Sequence, residues 1–233
     1  MKIDLHTHTR QRSYCSALDE EVLIRCAIQE GLDGLAITDH GRLVPKQILE
    51  ELNEKYHPFR IFIGVEVTLF ARDYQDYIIL GIHKPVMASD WTYDILLKYV
   101  RDSGGYIYWA HPFRYRDVLP PEHKIHPPDA VEIYSTNIRP DLTSRIKQVA
   151  ERMGCRTIGA SDAHFKEDVG YSYIDLENEV SSDAELVAEL KKGAFKVIPP
   201  GIDSKQKEKD QRDAKYQADL GDFSNFVKGI KDT

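Results

Sequence analysis

Seven short apolar runs punctuate the chain: KIDLHTH (2–8), GLAITDH (34–40), RIFIGVEV (60–67), YIILGIH (77–83), YIYWAHP (106–112), AVEIYS (130–135) and RTIGASDAH (156–164). They are β-branched or aromatic-rich and nearly continuous in apolarity, the pattern of strands buried on both faces of a parallel sheet. Between several of them the spacing turns helical. LDEEVLIRCAIQEG (18–31) places Val22, Cys26 and Ile28–Gln29 around one side and stops at Gly31. PKQILEELNEKY (45–56) carries a proline in its first turn, and DWTYDILLKYVRDSGG (90–105) ends in a glycine pair. RPDLTSRIKQVAERMG (139–154) ends at Gly154, and SSDAELVAELKKG (181–193) has Ser182 and Glu185 in capping-box spacing.

Seven strands with mostly helical crossovers fit a (β/α) TIM-like barrel; an open doubly wound sheet is the alternative. The expected folded domain spans residues 1–200. Residues 201–233 form a charged segment with little apolar content before Phe223, Phe226 and Val227. A peripheral or poorly ordered tail is expected there, with a short docked helix or an oligomer contact as alternatives. Neither GxGxxG nor GxxxxGK[ST] occurs, which weakens any nucleotide-cofactor reading.

Composition narrows this further. With 233 residues, 42% hydrophobic and 30% charged, the chain matches an ordinary soluble protein. No apolar run approaches the ~20 residues needed to cross a bilayer, and MKIDLHTHTR lacks the apolar core of a signal peptide, so the cytoplasm is the expected address. The three cysteines match no zinc spacing, and Cys26 and Cys155 read as small core residues. The net charge of −7 argues against a general nucleic-acid surface. It is compatible with a phosphorylated substrate, because bound divalent cations reverse the local field of a carboxylate-lined pocket.

The histidines carry the chemistry. Residues i and i+2 of a strand share a side, so His6 and His8 either face one pocket or lie on a polar strand end. Of nine histidines, six stand at the ends of strand candidates: His6, His8, His40, His83, His111 and His164. Asp4, Asp39, Glu66 and Asp162 join them. In a parallel barrel those ends open on one face. Burying so many imidazoles and carboxylates together without a cation is costly. Imidazole with carboxylate suits Zn, Mn, Fe or Co, and the donors exceed one tetrahedral site. Two or three divalent ions are expected, with Glu66 a natural bridge.

As a set, DLHTHT, AITDHG, GVE, GIHKPV, AHP and GASDAH resemble, in order, the motifs of the PHP (polymerase and histidinol phosphatase) family over roughly residues 1–200. The chain looks close to its stand-alone phosphoesterases. The resemblance implies a distorted seven-stranded (β/α) barrel with a trinuclear metal site. His6, His8, Glu66 and Asp162 would hold one ion; Glu66, His83 and His111 a second; His40 and His164 a third. Family members often add an Asp or His to that third site shortly after HxH. Here the segment is RQRSYCSALDE, and Cys15 is the nearest donor. Its thiol would be deprotonated by zinc; alternatively it is a packed residue at the rim. Asp4 and Asp39 are read as acceptors that orient histidines.

The expected chemistry is hydrolysis of a small phosphomonoester or short nucleotide phosphoester by a metal-bridged hydroxide. Glu66, Asp162 and His164 would be the catalytic residues, with the third ion or His164 assisting the leaving group. Arg114 is the first candidate to bind phosphate, as a bidentate fork. Arg10, Arg12, Lys84 and Arg139 also follow strand ends, and Tyr134 and Asn137 could touch substrate. The acidic balance favours a small phosphorylated substrate over a stable nucleic-acid partner. Two other readings are an amidohydrolase-like metal hydrolase, which would want a bridging lysine, and a non-catalytic metal-binding protein.

Overall fold

The computed structural model describes residues 1–70, 74–86 and 91–201. The chain divides into two compact units, Met1–Pro199 and Pro200–Thr233. Beyond Gly201, the charged tail expected at 201–233 lies outside the described residues. In the first unit the order is β1 (Lys2–Thr7), α1 (Glu20–Gln29), β2 (Gly34–Ile37), α2 (Lys46–Lys55), β3 (Arg60–Leu69), β4 (Gln75–Leu80), α3 (Tyr93–Asp102) and β5 (Tyr106–Trp109). Then follow β6 (Ala130–Tyr134), α4 (Thr143–Met153), β7 (Arg156–Gly159), β8 (Tyr173–Leu176), α5 (Asp183–Lys192) and β9 (Phe195–Ile198). Among the described residues no helix is long and apolar enough to cross a membrane.

Local chemistry accounts for the helix ends. Gly154 and Gly193 close α4 and α5 at φ 67° and 76°, left-handed conformations that cost glycine little. The Ser182 hydroxyl accepts from the Glu185 N–H, while the Glu185 carboxylate accepts from Ser181, one residue earlier than a regular capping box. The buried face of α1 is Leu23, Ile24 and Ala27 rather than the side carrying Val22, Cys26 and Ile28, and Ile28 is 43% exposed. Apolar residues run nearly around this helix, so its periodicity singles out no face; packing against Leu35 and Ile37 of β2 does. Cys26 and Cys155 are half-buried at the edges of the core, not within it.

The nine strands form one sheet in the order β7-β6-β5-β4-β3-β2-β1-β8-β9. Beyond β7 the chain returns to β1, where Thr7 bridges Ala163 and the His8 N–H donates to the Ala163 carbonyl at 3.0 Å. The sheet is therefore nearly closed and barrel-like. Among the described residues, nine strands stand where seven were expected. The short β8 and β9, only partly buried, escaped an apolar reading. The sheet is also mixed: β4 is antiparallel to both β3 and β5, and β8 to β1 and β9. Only five residues separate Leu69 from Gln75. A parallel crossover needs a dozen or more, so β4 must run backwards.

Alternation along the strands then sorts side chains into layers. In β3, Phe62 joins the core cluster that draws on eight of the nine strands, while Ile61 and Ile63 pack towards α1 and α2. Glu66 shares parity with Phe62. By the same rule Asp76 lies with Ile78 and Leu80, and Glu132 with Ala130, whereas Tyr77, Ile79, Val131 and Ile133 belong to the cluster under α3 and α4. Three carboxylates thus point inward above an apolar layer, and all are at most 3% exposed.

Gly64 sits between Phe62 and Glu66 because nothing larger fits. A Cβ there would lie 2.7 Å from Thr38 Cγ2 and 2.9 Å from Leu80 Cδ2. Thr38 cannot turn away freely, since its hydroxyl donates to the Thr7 carbonyl and accepts from the Thr7 N–H, both at 3.0 Å. Gly64→Ala is expected to destabilise the fold by about 1–3 kcal/mol, the usual cost of overpacking. A lower midpoint in thermal unfolding checks it; an unchanged midpoint would show that β2 and β3 separate at little cost.

Candidate metal centre

The strands stop short of the histidines they were expected to carry. Only His6 lies within a strand; His8, His40, His111 and His164 stand on the loops that follow β1, β2, β5 and β7. Two donors occupy backbone conformations unusual for residues with a side chain, His111 at φ 26° and Asp162 at φ 54°. Such strain persists only where surrounding bonds hold it. At His111 the restraint is the Glu132 carboxylate, which accepts the His111 N–H at 2.7 Å. The other Glu132 oxygen accepts from His6 Nδ1 at 2.9 Å, so His6 Nε2 is the nitrogen a metal would take.

The ligand atoms converge. His6 Nε2 and His8 Nε2 are 3.0 Å apart. Glu66 Oε2 lies 2.9 Å from His40 Nδ1, 3.2 Å from His8 Nε2 and 3.5 Å from His6 Nε2, while its Oε1 lies 3.0 Å from His111 Nε2. Asp162 Oδ1 is 3.3 Å from both His6 and His8 Nε2, and 3.4 Å from His164 Nδ1. Asp76 Oδ2 is 3.7 Å from His111 Nε2. Four overlapping groups could each hold an ion: His6/His8/Glu66, His6/His111/Asp162, Glu66/Asp76/His111 and His8/His40/His164.

These residues fit divalent metal. Atoms held ~2.1 Å from one ion stand about 3.0–3.4 Å from each other in octahedral or tetrahedral arrangements, the spacing seen here. Glu66 Oε2, Asp76 Oδ1 and Asp162 Oδ1 are buried and accept no hydrogen bond, although histidine nitrogens surround two of them. Buried carboxylate oxygens without partners are costly, and a cation supplies what they lack.

Charge is balanced internally in the metal-free protein. Burial alone would push Glu66 and Asp162 up; His6, His111 and His40 on the first, and His6, His8 and His164 on the second, hold both well below the usual carboxylate range. Burial opposes the charge on His6, but Asp162, Glu132 and Glu66 outweigh it and raise its pKa well above normal. Against the same opposition, Cys15 and Glu66 raise His40 to about 10, and Cys15 and Asp162 raise His164 to about 8. Burial raises the Cys15 thiol, yet hydrogen bonds with His164 and His40 bring it down to about 6. Cys15 thus stands beside two of the imidazoles, on the exposed side of the cluster.

His83 does not join them. Because β4 is reversed, its end points to the opposite side, where His83 is 55% exposed, pairs with Asp183 at 3.2 Å and lies near Arg60 and Ile61 at the start of β3. Lys84 follows it there, and this replaces its expected place beside substrate. Asp76, at the start of β4, stands where His83 was expected. The sequence reading missed Asp76 as a candidate ligand and Glu132 as the support behind His6 and His111. The five-residue connection before β4 pointed to the first, and a lone glutamate inside the apolar run AVEIY to the second.

The supporting residues divide differently from expectation. Asp4 bonds backbone rather than imidazole, accepting from the N–H groups of Ser161 and His6; burial, tempered by these bonds, lifts its pKa to about 6. Asp39 accepts from Thr9, Ser13 and Arg12, and reaches His8 only through Ser13, whose hydroxyl is 3.3 Å from His8 Nδ1. Arg12 is 9% exposed and committed to Asp39 and Glu20. Arg10 pairs with Asp19 and Arg139 with Asp141. Asn137 donates to Asp162 Oδ2 at 2.6 Å, and Tyr134 packs against the outer core cluster. Arg114 is exposed, with its guanidinium 5.3 Å from the Tyr115 ring centre.

Comparison with known proteins agrees with this arrangement. A family model described as "PHP domain" matches residues 4–152, and one described as "PHP-associated" matches residues 143–195. No curated protein matches the chain. Among solved structures, PsfC from Pseudomonas syringae superposes with a TM-score of 0.67 at 16% identity, covering 94% of this chain and 98% of that one. A two-domain Bacteroides vulgatus protein containing a predicted PHP-like metal-dependent phosphoesterase gives 0.63 at 16% identity, covering 86% and 65%. A Chromobacterium violaceum amidohydrolase with bound sulfate and no metal gives 0.60 at 17% identity, covering 87% and 99%.

Three expectations follow. Glu132→Gln, which keeps the shape but weakens the bond to His6, is expected to lower metal affinity about 10–100-fold, measured by calorimetry with zinc; unchanged affinity would remove Glu132 from the site's support. Raised histidine pKa values stabilise the metal-free fold below about pH 6.5, and this contribution is lost as pH rises through about 8 to 10. The melting temperature of the metal-free protein should fall over that window. Zinc binding near pH 7 should release protons, read as a buffer-dependent binding enthalpy.

Proposed function

The chain belongs to the PHP family, and from that premise we propose that it is a metal-dependent phosphoesterase acting on a small phosphomonoester or short nucleotide phosphoester. The observation that carries the reading is the division of Glu66: Oε1 serves His111 beside Asp76, and Oε2 serves His6, His8 and His40. A carboxylate divided this way is placed to join two ions. We assign His6, His8, Glu66 and Asp162 to one, Glu66, Asp76 and His111 to the second, and His40, His164 and Cys15 to a third. The donors suit Zn, Mn or Fe.

When bound, such ions supply an activated water and neutralise charge on the phosphoryl oxygens. The chain's own residues do the rest. Glu132 and Ser13 hold His6 and His8 in the tautomers that leave Nε2 free. Asn137 fixes the Asp162 carboxylate. His164 Nδ1 donates to the Asp162 carbonyl, leaving Nε2 for an ion or for a proton passed to the leaving oxygen. Arg114, exposed and without a carboxylate partner among the described residues, is the cation we assign to phosphate, whereas Arg10 pairs with Asp19. The sulfate in the Chromobacterium neighbour has the tetrahedral shape of a phosphoryl group. Three unpaired cysteines suit a reducing compartment, and we place the protein in the cytoplasm, with a small phosphorylated substrate and no stable nucleic-acid partner.

The metal-loaded protein should release p-nitrophenol from p-nitrophenyl phosphate and not from p-nitrophenyl acetate. A chelator should abolish the activity, and Glu66→Gln or Asp162→Asn should lower kcat by about 10³-fold or more, the scale set by losing electrostatic stabilisation of the transition state. Acetate turnover without phosphate turnover would favour amidohydrolase-type chemistry. Metal binding with neither would favour a non-catalytic metal protein.

A further inference from the structure

One buried histidine takes no part in the metal centre. Residues 110–129 connect β5 to β6, a longer connection than compact domains ordinarily use. Residues 114–118 and 124–126 of it are exposed, yet His123, on the single 3-10 turn Pro121–Lys124, is fully buried. Its Nε2 lies 2.8 Å from the Tyr77 hydroxyl of β4. Three rings enclose it, with centroids at 4.7 Å for Tyr93 of α3, 4.8 Å for Trp109 of β5 and 5.7 Å for Tyr77. Its Nδ1 is buried and has no hydrogen-bond partner among the described residues.

This box suits a neutral ring and not a cation. An imidazolium donates from both nitrogens, and only one of them finds a partner here. A buried charge with no counter-charge costs far more than one unmet nitrogen on a neutral ring. Tyr77 and Tyr93 are the titratable groups facing His123 from β4 and α3; both are phenols, uncharged near neutrality, and Trp109 of β5 completes the wall. On its own turn, Glu122 and Lys124 flank it with opposite signs. Burial accordingly lowers the His123 pKa to about 3, against about 6.5 for a histidine in water. The stretch is otherwise tied down by partly buried Leu119 and by surface pairs such as His126 with Asp94 at 3.1 Å, which contribute little.

We propose that His123 is an acid-sensitive latch: uncharged, its ring holds residues 114–126 against Tyr77, Tyr93 and Trp109, and on taking a proton it leaves the box and frees that segment while the barrel stays folded. Arg114 lies within the segment, but the latch stands independently of the phosphoesterase reading.

Amide hydrogen exchange on the full, metal-free chain reads the latch. Below pH 6.5 the raised histidines of the centre already hold their protons there, so they add no pH dependence of their own. The His123, Ile125 and His126 amides, which donate to the Pro120 and Glu122 carbonyls, report on the segment. One proton taken on opening raises the open population about tenfold per pH unit below ~6.5. Between pH 6 and 4.5, protection factors in the segment should therefore fall about tenfold per unit, and should stay at least about tenfold below those of β4 and β6. Acid charges His126 and tightens its pair with Asp94, which works against this fall. In His123→Phe and His123→Gln, which put an untitratable side chain in the box, segment protection should be level over the same range. Level protection in the native segment, protection equal to that of the barrel, or a slope that survives in both variants would overturn the latch.

Discussion

Everything at the inner end of the barrel answers to one constraint: Glu66 and Asp162 are each 1% exposed among five imidazoles, and their charge has to be balanced by buried neighbours. In the metal-free protein, protonated histidines supply that balance. Divalent ions bound there would take the same carboxylate oxygens as ligands and displace protons from the imidazoles. One set of atoms thus serves the protonated site and would serve a metal-loaded one. Its pH behaviour and its metal affinity are two views of the same equilibrium.

Holding those atoms ~3 Å apart requires rigid support, and the structure provides it from outside the ligand set. Glu132 restrains a side chain and a strained backbone at once, through His6 and His111. Asp39 organises Thr9, Ser13 and Arg12 into a network that fixes the loop after β1 and, through Ser13, orients His8. Asp4 ties β1 to Ser161 beyond β7, across the line where the barrel closes. Closure of the fold and assembly of the site are therefore the same event. β1 carries His6, and the segment it bridges carries Asp162.

The reversal of β4 shows how topology chooses a ligand. Reading every strand as parallel brought His83 into the centre. A connection of five residues cannot cross over, so β4 enters the site by its beginning and leaves by its end. Asp76 arrives and His83 departs to pair with Asp183. The reversal also brings Tyr74 beside Tyr115.

Much was legible in residue order alone. The apolar runs marked seven of the nine strands, the glycine stops and proline starts marked five helices, and histidines clustered at the ends of runs pointed to a shared metal site. These features are local: periodicity, caps and residue type act within a few positions of chain. Strand direction, barrel closure and the partner of each buried carboxylate depend on residues far apart in sequence, 157 positions in the case of Asp4 and Ser161. Whether Asp76 at the start of β4 or His83 beyond its end faces the cluster follows from the direction of β4, not from the apolar pattern of the run. The sequence determined that a metal-binding centre could exist. The tertiary structure decided which atoms compose it, because burial and charge balance are properties of the assembled pocket.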